Sequence, residues 1–177
     1  MRLLKLVTLL LGFWIGVENA YTKEIYSVVK LTNMRVERTS DAGGDNLFFL
    51  ITQARAEHKP QEERIPIYPL HWLSKQLAGT RNIVLWEGEI KEGESIKLVY
   101  SLIEQKFPPW DLDDLMIGSA ELILSNHKGK LKKVWRVPNI EEKSEVEIQK
   151  LANPQRYIFK GAGSRYDVAF LVEQKKK

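Results

Sequence analysis

The sequence predicts an all-β protein, an antiparallel β-sandwich of about eight strands with one or two short helices in its loops. Short runs of alternating or wholly apolar residues follow one another from Ile25 to Val172. The segments between these runs are rich in glycine, asparagine and aspartate, which favour turns. Only residues 69–79 and 138–154 have a pattern that allows a helix.

The first predicted strand runs from Ile25 to Arg38, and its apolar positions change phase near Thr32 and Asn33. A change of phase moves side chains to the other face of a sheet, so it predicts a bulge or a change of neighbouring strand. Residues 40–46 then form a turn. The next strand, over residues 47–52, is almost wholly apolar, as in a strand that is covered on both faces.

The segment from residue 53 to residue 79 predicts mostly irregular structure. Residues 53–64 are charged and predict an exposed loop. Residues 65–68 predict no more than a short edge strand, because Pro66 lies within the run and Pro69 follows it. Residues 69–79 predict a short helix. A proline suits its first position, a glycine suits its end, and helical spacing separates Leu70, Leu73 and Leu77.

Three hairpins are predicted in the second half of the chain. In each, two alternating runs are joined by a short polar or glycine-containing segment. The paired runs are 83–90 with 96–104, 117–125 with 131–137, and 157–159 with 166–172. For residues 138–154, the pattern allows either a helix or a solvent-exposed loop.

Composition excludes several classes of function. The 177 residues include no cysteine, which excludes disulfides, thiolate metal sites and cysteine nucleophiles. The formal charge of +4 is too small to favour a nucleic-acid partner. His58, His71 and His127 lie on separate segments, and no serine-hydrolase, zinc-protease or phosphate-loop motif is present. The sequence therefore predicts a protein that is not an enzyme.

Residues 1–20 predict a signal peptide. Arg2 and Lys5 precede an apolar run, 6–17, that is shorter than a membrane span, and Ala20 offers a small residue for cleavage before Tyr21. An uncleaved N-terminal anchor is the alternative. The prediction is an exported protein, periplasmic or secreted, with one domain over residues 21–177.

Acidic residues are concentrated on two predicted loops. If these loops lie at the same end of the sandwich, their carboxylates converge, and such groups repel unless a cation lies between them. Calcium binds about six to eight oxygen ligands on flexible loops. The candidate calcium ligands are Asp41, Asp45, Glu104, Asp111, Asp113 and Asp114. The alternative is that the aspartates serve only to form turns.

Trp110 follows two prolines in the second acidic loop. It is a candidate contact for a membrane or a partner, and the alternative is that it folds back into the core.

These segments resemble C2 domains. Residues 41–45, followed by the apolar strand, resemble the first calcium loop of that family, and residues 113–118 resemble the third loop. Residues 83–87 resemble the strand before it. The resemblance covers most of residues 25 to 125 and implies a sandwich that binds through loops at one end. The sequence departs from the family in carrying Glu104 and Lys106 where aspartates are expected.

Three hypotheses of function follow. The first is a binding module that acts through its acidic loops on a membrane surface or a protein partner, with or without calcium. The second is a metal-free interaction or inhibitor protein that uses a sheet face or edge. The third is a hydrolase with a carboxylate pair, Asp111 with Asp113 or Glu104.

Overall fold

Two antiparallel sheets contain most of the described residues, which confirms the predicted all-β sandwich. The computed structural model describes residues 23–106, 114–138, 145–149 and 153–175. Eleven strands lie in these ranges, more than predicted, because three of them are only two to five residues long.

The first sheet has five strands in the order β5-β1-β11-β10-β9. Its long central pair, β1 with β11, joins the first described strand to the last. The bounds are β1 Ile25–Arg38, β5 Ile83–Ile90, β9 Glu145–Gln149, β10 Gln155–Gly161 and β11 Ser164–Lys175.

The second sheet has the order β3-β2-β6-β7-β8, and the short β4 also pairs with β2. The bounds are β2 Asn46–Arg55, β3 Gln61–Ile65, β4 Trp72–Leu73, β6 Ser95–Glu104, β7 Leu115–His127 and β8 Lys130–Arg136. A 3₁₀ helix, Ser74–Gly79, leads from β4 towards β5 and so passes from one sheet to the other. No helix in the described ranges is long and apolar enough to cross a membrane.

The core lies between the inner faces of the two sheets and is rich in aromatic side chains. The ring of Phe170, on β11, lies 5.3 Å from the ring of Tyr100 and 5.9 Å from that of Phe49, both on the opposite sheet. Trp135 and Tyr157 lie 5.4 and 6.0 Å from Phe170. Aromatic pairs at these separations stabilise a core beyond the area that they bury.

The bulge predicted in β1 is confirmed between Leu31 and Asn33. Its position coincides with the end of β5, which pairs with β1 only over Ile25 to Leu31. Beyond this point β11 continues on one side of β1. No strand in the described part of the chain pairs with the other side of residues 32–38.

Two of the three predicted hairpins are confirmed, β7 with β8 and β10 with β11. The third is wrong, because β5 belongs to the first sheet and β6 to the second. Asn126 holds the connection between β5 and β6. Its side-chain Nδ2 donates to the Ile90 carbonyl at 2.9 Å, and its backbone carbonyl accepts from the Gly93 amide at 2.9 Å. Alternating strands joined by a short polar loop occur both in hairpins within one sheet and in connections between two sheets, so the pattern alone did not distinguish these arrangements.

Three further predictions are corrected. Residues 53–64 are not one loop, because β2 extends to Arg55 and β3 begins at Gln61; charged residues are common on edge strands and concealed this one. The predicted edge strand over 65–68 is therefore displaced to 61–65. The predicted helix over 69–79 is only the 3₁₀ helix Ser74–Gly79, and residues 145–149 form β9 where a helix was one alternative.

Candidate functional site

One end of the sandwich brings together three connections, and we call it the loop end. They are residues 39–45 between β1 and β2, residues 66–71 between β3 and β4, and residues 105–106 after β6. The Gln105 amide donates to the Asn46 carbonyl at 2.7 Å, and the Ser74 amide donates to the Asp45 carbonyl at 2.9 Å. These bonds hold the connections together because β4 and β6 both pair with the beginning of β2.

Asp45 is fully buried at the loop end and accepts hydrogen bonds from several elements. Its carboxylate accepts from the Ser164 hydroxyl at 2.6 Å and from the Tyr166 hydroxyl at 2.5 Å, both on β11. The Ser40 amide donates to its other oxygen at 3.1 Å. Asp45 therefore ties the β1–β2 connection to the last hairpin.

Gly44 positions the aspartate that follows it. Its φ of +90° is one that side-chain-bearing residues rarely adopt. A Cβ at this position would also lie 2.7 Å from the Ser74 hydroxyl, which accepts a hydrogen bond from the Asp45 amide. The two glycines of the turn are thus not equivalent, since a Cβ on Gly43 would have no heavy atom within 4 Å.

Glu104, also buried, and Asp41, largely exposed, are joined by Lys106. The Lys106 ammonium lies 2.6 Å from a Glu104 carboxylate oxygen and 3.0 Å from an Asp41 carboxylate oxygen. The Ser40 hydroxyl lies 3.0 Å from Glu104 and 3.2 Å from Asp45, so it stands between the two buried carboxyl groups. We call Asp41, Asp45, Glu104 and Lys106 the acidic cluster.

Burial decides the electrostatics of the acidic cluster. Burial, reinforced by the nearby Asp45 charge, raises the pKa of Glu104 despite its bonds to Lys106 and Ser40. Burial alone would lower the pKa of Lys106, but its bonds to Glu104 and Asp41 reverse that effect and raise the pKa. Burial also raises the pKa of Tyr166, and its hydrogen bond to the Asp45 carboxylate adds to the increase.

In the structure, the described candidate ligands are bonded to groups of the protein itself. The Asp45 oxygens are occupied by hydroxyl and amide donors, and the Lys106 ammonium lies where a bridging cation would have to bind. Among the residues that the structure describes, no group of three His, Cys, Asp or Glu side chains could hold a metal ion.

The remaining candidates leave the calcium prediction untested. Asp114 is exposed and precedes Leu115, the register partner of Glu104, so it belongs to the same end. Asp111, Asp113 and Trp110 lie outside the described residues.

The loop end also carries exposed apolar side chains that the sequence did not single out. Ile67, Tyr68 and Leu70 have 74%, 71% and 65% of their surface exposed, and we call them the apolar tip. They belong to a turn in which the Leu70 amide donates to the Ile67 carbonyl at 2.9 Å. The missed signal was an apolar run interrupted by two prolines, which suits neither a strand nor a helix.

Arg64 fixes the apolar tip to the body of the protein. Its guanidinium donates to the Leu70 carbonyl at 3.0 Å and to the Gln105 side chain at 2.6 Å. It also lies 4.1 Å from the ring centre of Phe48 and 5.2 Å from that of Tyr68. Hydrogen bonds and cation–π contacts together hold the turn, although its apolar side chains face solvent.

Comparisons with protein-family models, with curated proteins and with solved structures found no match to this chain. The resemblance to C2 domains remains a prediction from the sequence.

Proposed function

We propose that the protein is an exported, non-enzymatic binding module that acts through its loop end, with the apolar tip as its contact with a membrane surface. The observation that carries the proposal is that Ile67, Tyr68 and Leu70 are mostly exposed although Arg64 holds their turn in place. Single exposed apolar residues are common on soluble proteins. A cluster of three within four residues on a fixed turn indicates a contact surface.

The energetics favour such a contact. Burying one large apolar side chain stabilises a complex by about 1.5–3 kcal/mol. The hydrogen bonds of Arg64 and Leu70 already order the turn, so little conformational entropy is lost on binding. Tyrosine suits the boundary between apolar and aqueous phases, because its ring is apolar and its hydroxyl is polar.

The acidic cluster supports this proposal in a different way from that predicted. Its buried carboxyl groups accept bonds from β11 and from Lys106, so they brace the connections that carry the tip. This arrangement supports binding that does not need calcium. It also supports a non-enzymatic role, since Asp45 and Glu104 are buried and already bonded.

The test is sedimentation with vesicles of phosphatidylcholine and phosphatidylglycerol. We expect Ile67→Ser with Leu70→Ser to weaken binding roughly 100-fold, from the loss of about 3 kcal/mol of apolar contact. The matched control is Val84→Ser with Val137→Ser, which removes two apolar side chains that are 42% and 38% exposed away from the loop end.

We expect the control variant, Val84→Ser with Val137→Ser, to bind vesicles as tightly as the wild type does. The proposal is wrong if the wild-type protein does not bind vesicles, or if the two double variants bind equally well. In the first case the same tip should be tested against protein partners.

A further inference from the structure

We infer that the free edge of β1 beyond its bulge binds an extended, acidic peptide segment by strand addition. The edge consists of residues 32–36, which have β11 on one side and no described strand on the other. An unpaired edge presents backbone donors and acceptors in a fixed row, and an extended peptide can pair with that row. This site is separate from the apolar tip.

The free edge forms one wall of a groove. The 3₁₀ helix and the residues after it form the other wall, and the space between has a volume of about 690 Å³. Sites for small ligands commonly measure about 300–1,000 Å³. Five residues of β1 line the groove, which gives an edge of about 17 Å, long enough to pair with a short strand. We call it the basic groove.

The charges of the basic groove identify the chemistry of its ligand. Arg35, Lys75 and Arg81 line it, all three are exposed, and no acidic side chain is among its lining residues. None of the three forms an ion pair within the described part of the chain. Asp167, the register partner of Arg35, is bonded to Arg156 instead.

Two other cations of the first sheet are paired with carboxylates, unlike the three that line the groove. Lys30 lies 2.6 Å from Glu173, and Arg165 is paired with Glu37. The three cations of the groove, one on β1 and two on the opposite wall, therefore leave a positive potential that an acidic chain would neutralise. Val36, 42% exposed in the same groove, offers an apolar contact to one side chain of such a chain.

The experiment uses a fluorescent peptide of alternating glutamate and valine, about seven residues long, so that it spans the five-residue edge with about one residue to spare at each end. Its anisotropy is measured with the full chain. We expect the variant Arg35→Glu, Lys75→Glu, Arg81→Glu to weaken binding roughly 100-fold at low salt, because three attractive contacts become repulsive. The corresponding variant with glutamine at these positions should show a smaller loss. The control is Lys91→Glu, Lys130→Glu, Lys132→Glu, which reverses three exposed charges elsewhere and should bind normally.

Backbone methylation separates strand addition from simple charge attraction. Only every second peptide amide faces the edge of a neighbouring strand. Methylating the amides of one alternate set should abolish binding, and methylating the other set should not. Equal binding by both methylated peptides, or binding of a lysine–valine peptide as tight as that of the acidic one, overturns the inference.

The two proposals fail independently. The groove variant should still bind vesicles, and the variant Ile67→Ser with Leu70→Ser should still bind the peptide. If reversal of the groove charges abolishes vesicle binding and the wild type does not bind the peptide, the groove serves anionic headgroups and the peptide inference is wrong.

Discussion

The acidic cluster and the apolar tip lie at the same end of the sandwich, but their bonding is opposite. In the cluster, Asp45 and Glu104 are buried and hydroxyl, amide or ammonium donors occupy their carboxyl groups. In the tip, the backbone is bonded and the side chains are not covered. The buried charged residues at this end therefore hold the structure together, and the apolar residues are free to contact something else.

Removal of Asp45, the centre of the acidic cluster, should have the largest effect on stability. We expect Asp45→Ala to lower the free energy of unfolding by about 4 kcal/mol, because the buried hydroxyls of Ser164 and Tyr166, together with the Ser40 amide, lose their acceptor. Urea unfolding measures this change. The variant Ile67→Ser with Leu70→Ser, at the same end, should change stability by less than about 1 kcal/mol. Equal effects of the two variants would remove the distinction between cluster and tip.

Two buried tyrosines, one bonded to the acidic cluster and one in the aromatic core, should differ in their effect on stability. Tyr166→Phe should cost about 1–3 kcal/mol, since its hydroxyl donates to the Asp45 carboxylate at 2.5 Å. Tyr100→Phe should be neutral or stabilise the fold by about 1 kcal/mol, because its hydroxyl is buried in the aromatic core and has no hydrogen-bond partner among the described residues. Both values come from urea unfolding, and a loss from Tyr100→Phe as large as that from Tyr166→Phe would contradict the account.

The pH dependence of stability tests the electrostatics of Glu104. Its pKa is raised in the folded state, so the folded protein binds this proton more tightly than the unfolded chain does. The resulting stabilisation is complete below the unfolded pKa and is lost as the pH rises through the raised folded pKa. Glu104→Gln lacks this loss, so its stability relative to the wild type should improve as the pH rises from about 4 to about 7.

Lys106→Met should act in the opposite direction to Glu104→Gln. Loss of the ammonium 2.6 Å from Glu104 raises the pKa of that carboxyl group further, so the loss of stability extends to higher pH. Unfolding curves recorded across the same pH range measure both variants. If the difference between Glu104→Gln and the wild type does not change with pH, Glu104 is not the group responsible.

The smallest expected effect concerns the support of the tip. Arg64→Met keeps the apolar side chains but removes the hydrogen bonds to Leu70 and Gln105. We expect a roughly 3- to 10-fold weaker vesicle binding, because the turn must then be ordered on binding. Sedimentation measures it, and unchanged binding would show that the tip does not need to be held.

Sequence patterns predicted the parts of the fold that depend on side-chain alternation. The change of phase at Thr32 and Asn33 predicted the bulge in β1, because a bulge changes which side chains face the core. Alternation did not show which sheet β5 joins, since this depends on contacts such as those of Asn126, far away in sequence. The charged strand β3 was not predicted either, because an edge strand buries little apolar surface and so shows no apolar pattern.

The site was predicted only in part. Turn chemistry placed Asp41, Asp45 and Glu104 on loops that do meet, and the departure at Lys106 marked the position of a cation. The tip was missed, because its exposure depends on Arg64 and Gln105 rather than on its own residues. The basic groove was missed for a similar reason: its cations come from β1 and from the segment after β4.

The most direct test of the central claim is vesicle binding measured twice, in chelator and in calcium at about 5 mM, a concentration that would saturate a weak extracellular site. The account predicts the same affinity for the wild type in both solutions, and a large loss in both for Ile67→Ser with Leu70→Ser. Binding that appears only with calcium, or that is unchanged in the tip variant, would contradict this expectation. The acidic loops, not the apolar tip, would then be the contact with the membrane.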